Sequence, residues 1–113
     1  MPIYEIAPST PFQASLHQLT RQYPHAADDV QACLESLRTF PDQGSPIPGW
    51  RRHVWKLRIN STDIRRGKRY GFRLIYLLEG RVIYPLFVYA KTKKEDVSHE
   101  EILRMLRQIG KGP

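Results

Sequence analysis

Residues 53–59 read HVWKLRI, and from this stretch onward the hydrophobic pattern of the chain has a period of two. One face of such an extended strand carries a tryptophan, a leucine and an isoleucine, and the opposite face carries Lys56 and Arg58. We therefore predict a strand whose apolar side meets a core and whose cationic side faces away from it.

Two further strands follow with the same alternation. Residues 70–78 place their best core side chains on one face and turn Arg73 to the side of the two earlier cations. Glu79 and Gly80 predict a tight hairpin turn before a nearly all-apolar fourth strand over 81–91. Pro85 lacks the N–H that a ladder needs, so a bulge or a break in pairing is expected there.

The chain before this sheet predicts a short strand and two helices. Residues 3–6 are expected to form the first strand, and Thr10 is expected to begin a helix with Gln13 completing a capping box. Pro24 ends that helix, and a second amphipathic helix is predicted over 26–39. The two helices form a hairpin that needs a sheet to cover its apolar side.

Two remaining segments complete the predicted fold. Residues 41–49 are rich in proline and glycine and predict a loop, and residues 98–109 predict a final helix that opens with a Ser98–Glu101 capping box. The order β-α-α-β-β-β-α indicates an α+β fold with a small, antiparallel-rich sheet of about four strands. An N-terminal helical hairpin and a C-terminal helix pack on this sheet, in one domain that spans residues 1–113.

The positive charge of the chain is concentrated in one segment. The net charge is +7, yet residues 51–73 contain nine basic residues and a single acid, Asp63, while the rest of the chain sums to −1. A focused positive field of this kind attracts polyanions, of which nucleic acid is the commonest. The alternative is a solvated surface that happens to be rich in lysine and arginine.

Other chemistries find little support in the sequence. The four histidines have no ligand-like spacing and the lone Cys33 lies on an apolar helical face, so we expect neither a metal site nor a cofactor. No phosphate-binding loop or nucleophile elbow motif is present. The absence of a long apolar run, a secretion signal and paired cysteines leads us to expect a cytoplasmic protein without a membrane span.

Strand periodicity brings the cations to one expected place. Lys56, Arg58 and Arg73 should project from the same open side of the sheet, together with Tyr89 and Lys91 at the end of the fourth strand. Arginine pairs with phosphate through parallel donors, and preorganised cations stabilise the charge that develops when the RNA 2′-hydroxyl attacks the phosphate. The alternative is the wet face of an amphipathic sheet.

Three stretches carry a resemblance to a known family. Residues 54–59 (VWKLRI), 67–76 (GKRYGFRLIY) and 86–102 (LFVYAKTKKEDVSHEEI) resemble toxins of the RelE/HigB superfamily from bacterial type II toxin–antitoxin pairs. The resemblance implies a metal-independent, ribosome-dependent endoribonuclease that cleaves mRNA and is inhibited by a tightly bound antitoxin protein. It also implies a toxin that is monomeric by itself and joins a hetero-oligomer with its antitoxin.

The resemblance also implies roles for individual residues. Basic residues on the second and third strands of the family bind and activate the scissile phosphate, and the matching residues are Lys56, Arg58 and Arg73. The family often adds another cation after the fourth strand, where this chain has Thr92, so a neighbouring lysine would have to substitute: Lys91, Lys93 or Lys94. His99 is the titratable candidate for a proton carrier, with Tyr89 as a second possibility.

RNA binding and the alternatives to cleavage complete the expectations. The residues predicted to grip the RNA backbone are Arg51, Arg52, Arg65, Arg66, Lys68, Arg69 and Lys93.

One alternative function is a toxin of the same fold that poisons DNA gyrase by binding it and has no nuclease site. Another is an RNA-binding relative with weak catalysis. Convergent cations on one face favour the nuclease, because a pure protein binder has no need of them.

Overall fold

A computed structural model describes residues 3–64 and 71–112 of the chain. These residues form three helices and a five-stranded mixed sheet, which confirms the α+β class. The helices are α1 (Thr10–Gln22), α2 (Ala26–Thr39) and α3 (His99–Gln108). The strands are β1 (Glu5–Ile6), β2 (Ser45–Pro46), β3 (Val54–Ile59), β4 (Phe72–Glu79) and β5 (Val82–Ala90).

The strand order across the sheet is β1-β5-β4-β3-β2. β3, β4 and β5 pair antiparallel in sequence, as the alternating patterns predict. The expected count of four strands is wrong, because Ser45 and Pro46 of the predicted loop pair with Lys56 and Trp55 and add an edge strand. A sheet edge tolerates proline since no ladder donor is needed on its outer side. β1 also adds a parallel pair with β5, where the prediction had only a meander.

Pro85 interrupts the ladder between the two longest strands, as predicted. Ile75 pairs with Phe87, but its neighbour Tyr76 pairs with Pro85, so Leu86 has no opposite residue on β4. An extra residue on one strand defines a β-bulge, which bends the strand and increases its twist. The bulge lies next to Pro85, whose missing N–H cannot donate a hydrogen bond to the ladder.

Local sequence signals locate two of the three helices well: the apolar period of α2 and the capping box of α3. α2 has the predicted bounds, and the Ser98–Glu101 capping box before α3 is present with both of its hydrogen bonds. The predicted Thr10 cap of α1 is wrong. Ser9 is the capping residue, because its hydroxyl oxygen accepts a hydrogen bond from Phe12 N at 3.2 Å and also donates one to Pro85 O at 2.8 Å. Tertiary pairing with β5 therefore fixes where α1 begins.

Two hydrophobic cores lie on opposite faces of the sheet. α1 and α2 cover the face that carries Trp55 and Tyr76, as predicted for the helical hairpin. α3 covers part of the other face, where Ile102 packs with Val54, Ile75 and neighbouring apolar residues. The expectation that the cationic side of the sheet is open throughout is therefore wrong. This side also carries apolar residues of β3 and β4, which are buried against α3, whereas Arg58 near the end of β3 stays exposed.

Candidate functional site

Strand register brings two arginines and a tyrosine into one row across the sheet. Arg58 on β3 pairs with Arg73 on β4, and Arg73 pairs with Tyr89 on β5. Lys56 lies two residues before Arg58 and therefore projects from the same face of the sheet. Rigid neighbouring strands thus fix three cationic side chains within reach of one another.

A cleft of about 450 Å³ opens at this end of the sheet. Among its lining residues are four of the residues predicted to form the site: Lys56, Arg58, Arg73 and Lys91. Two further walls come from Leu57 and from residues 43–45 beside the edge strand β2. The convergence of these cations was predicted from the strand periodicity, but their catalytic role remains a prediction.

Arg73 is the most enclosed cation of the cleft. Its side chain belongs to a residue that is only 5% exposed, and its Nη1 donates a hydrogen bond to Phe72 O at 3.2 Å. Burial lowers the pKa of Arg73 below its ordinary value, and the neighbouring charge of Arg58 lowers it further. Because a guanidinium stays protonated in proteins, Arg73 presents a fixed positive charge that is poorly hydrated. Such a charge has a strong preference for an anion.

The two lysines of the cleft are held by the segment that connects β5 to α3. Lys56 Nζ lies 3.2 Å from Asp96 Oδ1, and Lys91 Nζ donates a hydrogen bond to the carbonyl oxygen of Glu95. A lysine side chain has high rotamer entropy when it is unrestrained. These contacts restrict both ammonium groups to the rim of the cleft.

Gly44 shapes the wall of the cleft on the β2 side. A Cβ at this position would lie 2.6 Å from Lys56 O, so no side chain fits there. Gly44 N donates a hydrogen bond to Tyr76 Oη at 3.3 Å, and Tyr76 Oη donates one to Pro41 O at 2.7 Å. The sequence predicts only a loop here. The glycine two residues before a proline was the one signal that the backbone closely approaches another strand.

Two residues predicted to be catalytic do not line the cleft. Lys94 Nζ pairs with Glu101 Oε2 at 2.8 Å and lines a separate groove between α1 and β5, together with Lys93. His99 lies in the first turn of α3, as expected, and its ring stacks on Trp50 with centroids 4.4 Å apart and planes at 20°. The packing of α3 across the sheet holds both residues outside the cleft, and strand periodicity alone does not predict that packing.

The residues predicted to grip RNA divide into two groups. Arg51 and Arg52 are exposed in the turn before β3, with φ of 52° and 64°. The Arg52 guanidinium lies 5.1 Å from the Trp55 ring centroid, and Trp55 belongs to the core on the opposite face from Lys56. Neither arginine is among the residues that line the cleft. Lys93 also lies outside the cleft, in the groove between α1 and β5. The remaining predicted residues lie outside the described part of the chain: Arg65, Arg66, Lys68 and Arg69.

Tyr89 is poorly suited to act as a general base. Burial raises the pKa of Tyr89 to about 12, and the nearby carboxylate of Asp96 adds to the rise. The phenol is therefore protonated at neutral pH, and within residues 3–64 and 71–112 its buried hydroxyl has no hydrogen-bond partner. The described lining of the cleft contains lysine and arginine but no histidine. The cleft thus offers charge stabilisation and not an evident proton acceptor.

Comparisons with known proteins do not identify a family for this chain, so the resemblance to the toxins rests on the three sequence stretches alone. No protein-family model matches the chain, and no curated protein matches it significantly.

Within the described ranges no cluster of three or more histidine, cysteine or acidic residues is placed to hold a metal ion. Nor does any described helix have the length and apolar character that crossing a membrane requires.

Proposed function

We propose that this protein is the toxin of a toxin–antitoxin pair and acts as a metal-independent, ribosome-dependent endoribonuclease that cleaves mRNA. The observation that carries the proposal is the cleft, where Lys56, Arg58, Arg73 and Lys91 meet at one end of the sheet. Four cations around one cavity are costly for a fold to assemble, and a phosphate ligand offsets that cost. The resemblance of residues 54–59, 67–76 and 86–102 to the toxin family supports the same function.

The cations of the cleft serve the chemistry of phosphoryl transfer. In RNA cleavage the 2′-hydroxyl loses its proton to water, and the 2′-oxygen bonds to phosphorus as the bond from phosphorus to the 5′-oxygen breaks. The leaving 5′-oxygen takes up a proton from water, and until then negative charge builds on the phosphoryl and leaving oxygens. Arg58 and Arg73, side by side on β3 and β4, stabilise the charge on the phosphoryl oxygens through paired donors. Lys56 and Lys91 at the rim add compact positive charges that attract the RNA backbone into the cleft.

The partners follow from the same charge distribution. The ribosome and mRNA are polyanions, and the basic segment over residues 51–73 supplies long-range attraction to them. A cognate antitoxin would present acidic side chains to the cationic cleft and neutralise it in a hetero-oligomer, whereas the toxin alone would be a monomer. Such a toxin acts in the cytoplasm, where its substrate, the mRNA bound to ribosomes, is found.

The decisive experiment expresses the wild-type protein and three variants briefly in bacteria and maps the 5′ ends of cellular mRNA. Lys56→Ala and Arg58→Ala remove exposed or half-exposed charges and should abolish or sharply reduce new 5′ ends and growth arrest. Arg21→Ala removes an equal charge from exposed α1, on the opposite face of the sheet, and should cleave like wild type.

Two results would contradict the proposal. Growth arrest that persists in the Lys56 and Arg58 variants while mRNA stays intact would exclude the nuclease. Supercoiling defects and DNA breaks in the arrested cells would instead favour the gyrase-binding alternative.

A further inference from the structure

Asp96 places an anion inside the field of the cationic cleft. Its Oδ1 lies 3.2 Å from Lys56 Nζ and accepts a hydrogen bond from Val97 N at 2.8 Å. Burial alone would raise the pKa of Asp96, but the Val97 hydrogen bond and the charges of Lys56 and Lys91 outweigh it, so the pKa is lowered. The group is therefore a carboxylate at neutral pH, and it interacts electrostatically with both lysines of the cleft.

The ion pair between Lys56 and Asp96 is weak enough for Lys56 to exchange Asp96 for another anion. The two side chains are 34% and 65% exposed, so water screens their attraction and the pair contributes little to the stability of the fold. Asp96 precedes α3 by three residues, in the segment that connects β5 to the helix. A carboxylate in such a position can turn toward solvent without disturbing either core.

The carboxylate and a phosphate require the same ammonium group. Lys56 lines the cleft, so a phosphate that enters it approaches the Nζ that Asp96 already neutralises. The phosphate must then displace Asp96 or bind beside a like charge, and either event lowers its affinity. The acidic neighbour Glu95 differs, because its carboxylate makes no hydrogen bond or ion pair within the described residues.

We propose that Asp96 is a built-in competitor for the phosphate site and restricts the cleft to polyanionic ligands. Every phosphate that enters the cleft bears the same cost of displacing Asp96. A polynucleotide offsets this cost through contacts with basic residues elsewhere on the surface, whereas inorganic phosphate has no such contacts and therefore binds far more weakly. The inference rests on the proposed use of the cleft as a phosphate site, and it does not depend on RNA cleavage.

The test measures binding of two probes by titration calorimetry at low salt: inorganic phosphate and a single-stranded RNA with a 2′-deoxy substitution at every nucleotide that could be cleaved. Asp96→Asn keeps a side-chain oxygen for Val97 N and removes the charge. It should bind either probe about two- to fivefold more tightly than wild type, in proportion to an exposed ion pair. The gain should shrink as added salt screens the charges.

Two matched variants separate competition from a general change in charge. Glu95→Gln removes an equal charge one residue away and should give a clearly smaller gain. In a Lys56→Met background, Asp96→Asn should give a clearly smaller gain, because the shared ammonium is gone and only the longer-range charge of Asp96 still acts on the phosphate.

The outcomes distinguish this inference from the proposed function. If wild type binds the RNA and Asp96→Asn binds it equally or more weakly, Asp96 is not a competitor, and the phosphate site stands without it. An equal gain from Glu95→Gln overturns the inference as well. If neither wild type nor Asp96→Asn binds the RNA while both remain folded by circular dichroism, the phosphate site itself is wrong.

Discussion

Arg58 and Arg73 pair directly across the antiparallel strands β3 and β4, so two guanidinium groups project side by side from one face of the sheet. Like charges in direct cross-strand positions destabilise a sheet. Arg73 is in addition almost fully buried, so folding must remove its charge from water at a cost in free energy. A sheet selected only for stability has no reason to keep this pair, and we infer that its function lies in binding an anion.

The first prediction separates the stability of the fold from the affinity of the cleft. Arg58→Gln relieves the repulsion on Arg73 and should raise the free energy of unfolding by about 0.2–1 kcal/mol, the range measured for cross-strand charge pairs. The same change should weaken RNA binding, because one of the paired donors is lost. Urea unfolding and RNA titration measure the two effects.

The control for this prediction is Arg21→Gln on α1, which removes one positive charge on the other side of the sheet. It should leave the unfolding free energy within about 0.5 kcal/mol of wild type, as most surface substitutions do. A loss of stability in Arg58→Gln that exceeds that of the control would show that the two arginines do not repel each other in the folded protein.

The second prediction concerns the buried hydroxyl of Tyr89. Its hydroxyl has no hydrogen-bond partner among residues 3–64 and 71–112, and burying such a group costs about 1–3 kcal/mol. Tyr89→Phe should therefore unfold at the same or a higher urea concentration than wild type. RNA cleavage should persist, because a phenol with a pKa of about 12 is not the proton acceptor. Loss of cleavage in a folded Tyr89→Phe protein would give the hydroxyl a role in the reaction.

The third prediction tests the close approach at Gly44. Gly44→Ala places a methyl group 2.6 Å from Lys56 O, so the wall of the cleft must shift. We expect a loss of about 1–3 kcal/mol in unfolding free energy, typical of overpacking, together with weaker RNA binding. Ser45→Ala is the matched control, since this neighbour already carries a Cβ. Equal stability of the two variants would mean that residues 43–45 move without cost.

Local signals in the sequence account for much of the fold. The bounds of α2, the Ser98–Glu101 capping box and the bulge at Pro85 each follow from residues within a few positions of one another. β1 lies within the strand predicted over 3–6, but its parallel pairing with β5 was not predicted. The edge strand β2 was not predicted either, because its two residues are too few for any period and pair only with the longer strand beside them.

The positions of the cleft residues that lie on β3 and β4 could be predicted from the alternation of those strands, whereas positions that depend on helix packing could not. Alternation on β3 and β4 is enough to bring Lys56, Arg58 and Arg73 to one face, and register then brings them into one cleft. The places of Lys94 and His99 depend on which face α3 covers. The apolar residues Ile75 and Leu77, on the same face as Arg73, were the signal that a helix packs there.

The fourth prediction addresses the basic connection that lies outside the described residues. Replacing Arg65, Arg66, Lys68 and Arg69 together by alanine should weaken RNA binding and flatten its dependence on salt, because fewer counterions are released on binding. The measurement is the slope of the logarithm of affinity against the logarithm of salt concentration. A slope equal to that of wild type would mean that these four residues are solvated and do not contact RNA.

The fifth prediction concerns a charged contact at the start of that connection. His25 Nδ1 lies 2.8 Å from Asp63 Oδ1, and His25 N donates a hydrogen bond to Asp63 Oδ2 at 2.8 Å. The side-chain hydrogen bond and the charge of Asp63 raise the pKa of His25 above its ordinary value of 6.5. The same contact lowers the pKa of Asp63 below its ordinary value of 3.8.

The direction of these shifts sets the pH range in which the contact stabilises the fold. The contribution of His25 is fully present below 6.5 and is lost as pH rises through its raised pKa, whereas that of Asp63 is present above 3.8 and is lost as pH falls through its lowered pKa. The difference in stability between wild type and Asp63→Asn should therefore be largest between these two values. Urea unfolding across the pH range measures it.

A proton NMR titration of His25 tests the cause directly. Asp63→Asn removes the charged partner and should lower the pKa of His25 toward 6.5. Asp28→Asn removes an equal charge from the first turn of α2 and should lower that pKa less, because Asp28 acts only at longer range. If Asp28→Asn lowers the pKa of His25 as much as Asp63→Asn does, the general acidity of the helix start sets this pKa, and the direct contact with Asp63 does not.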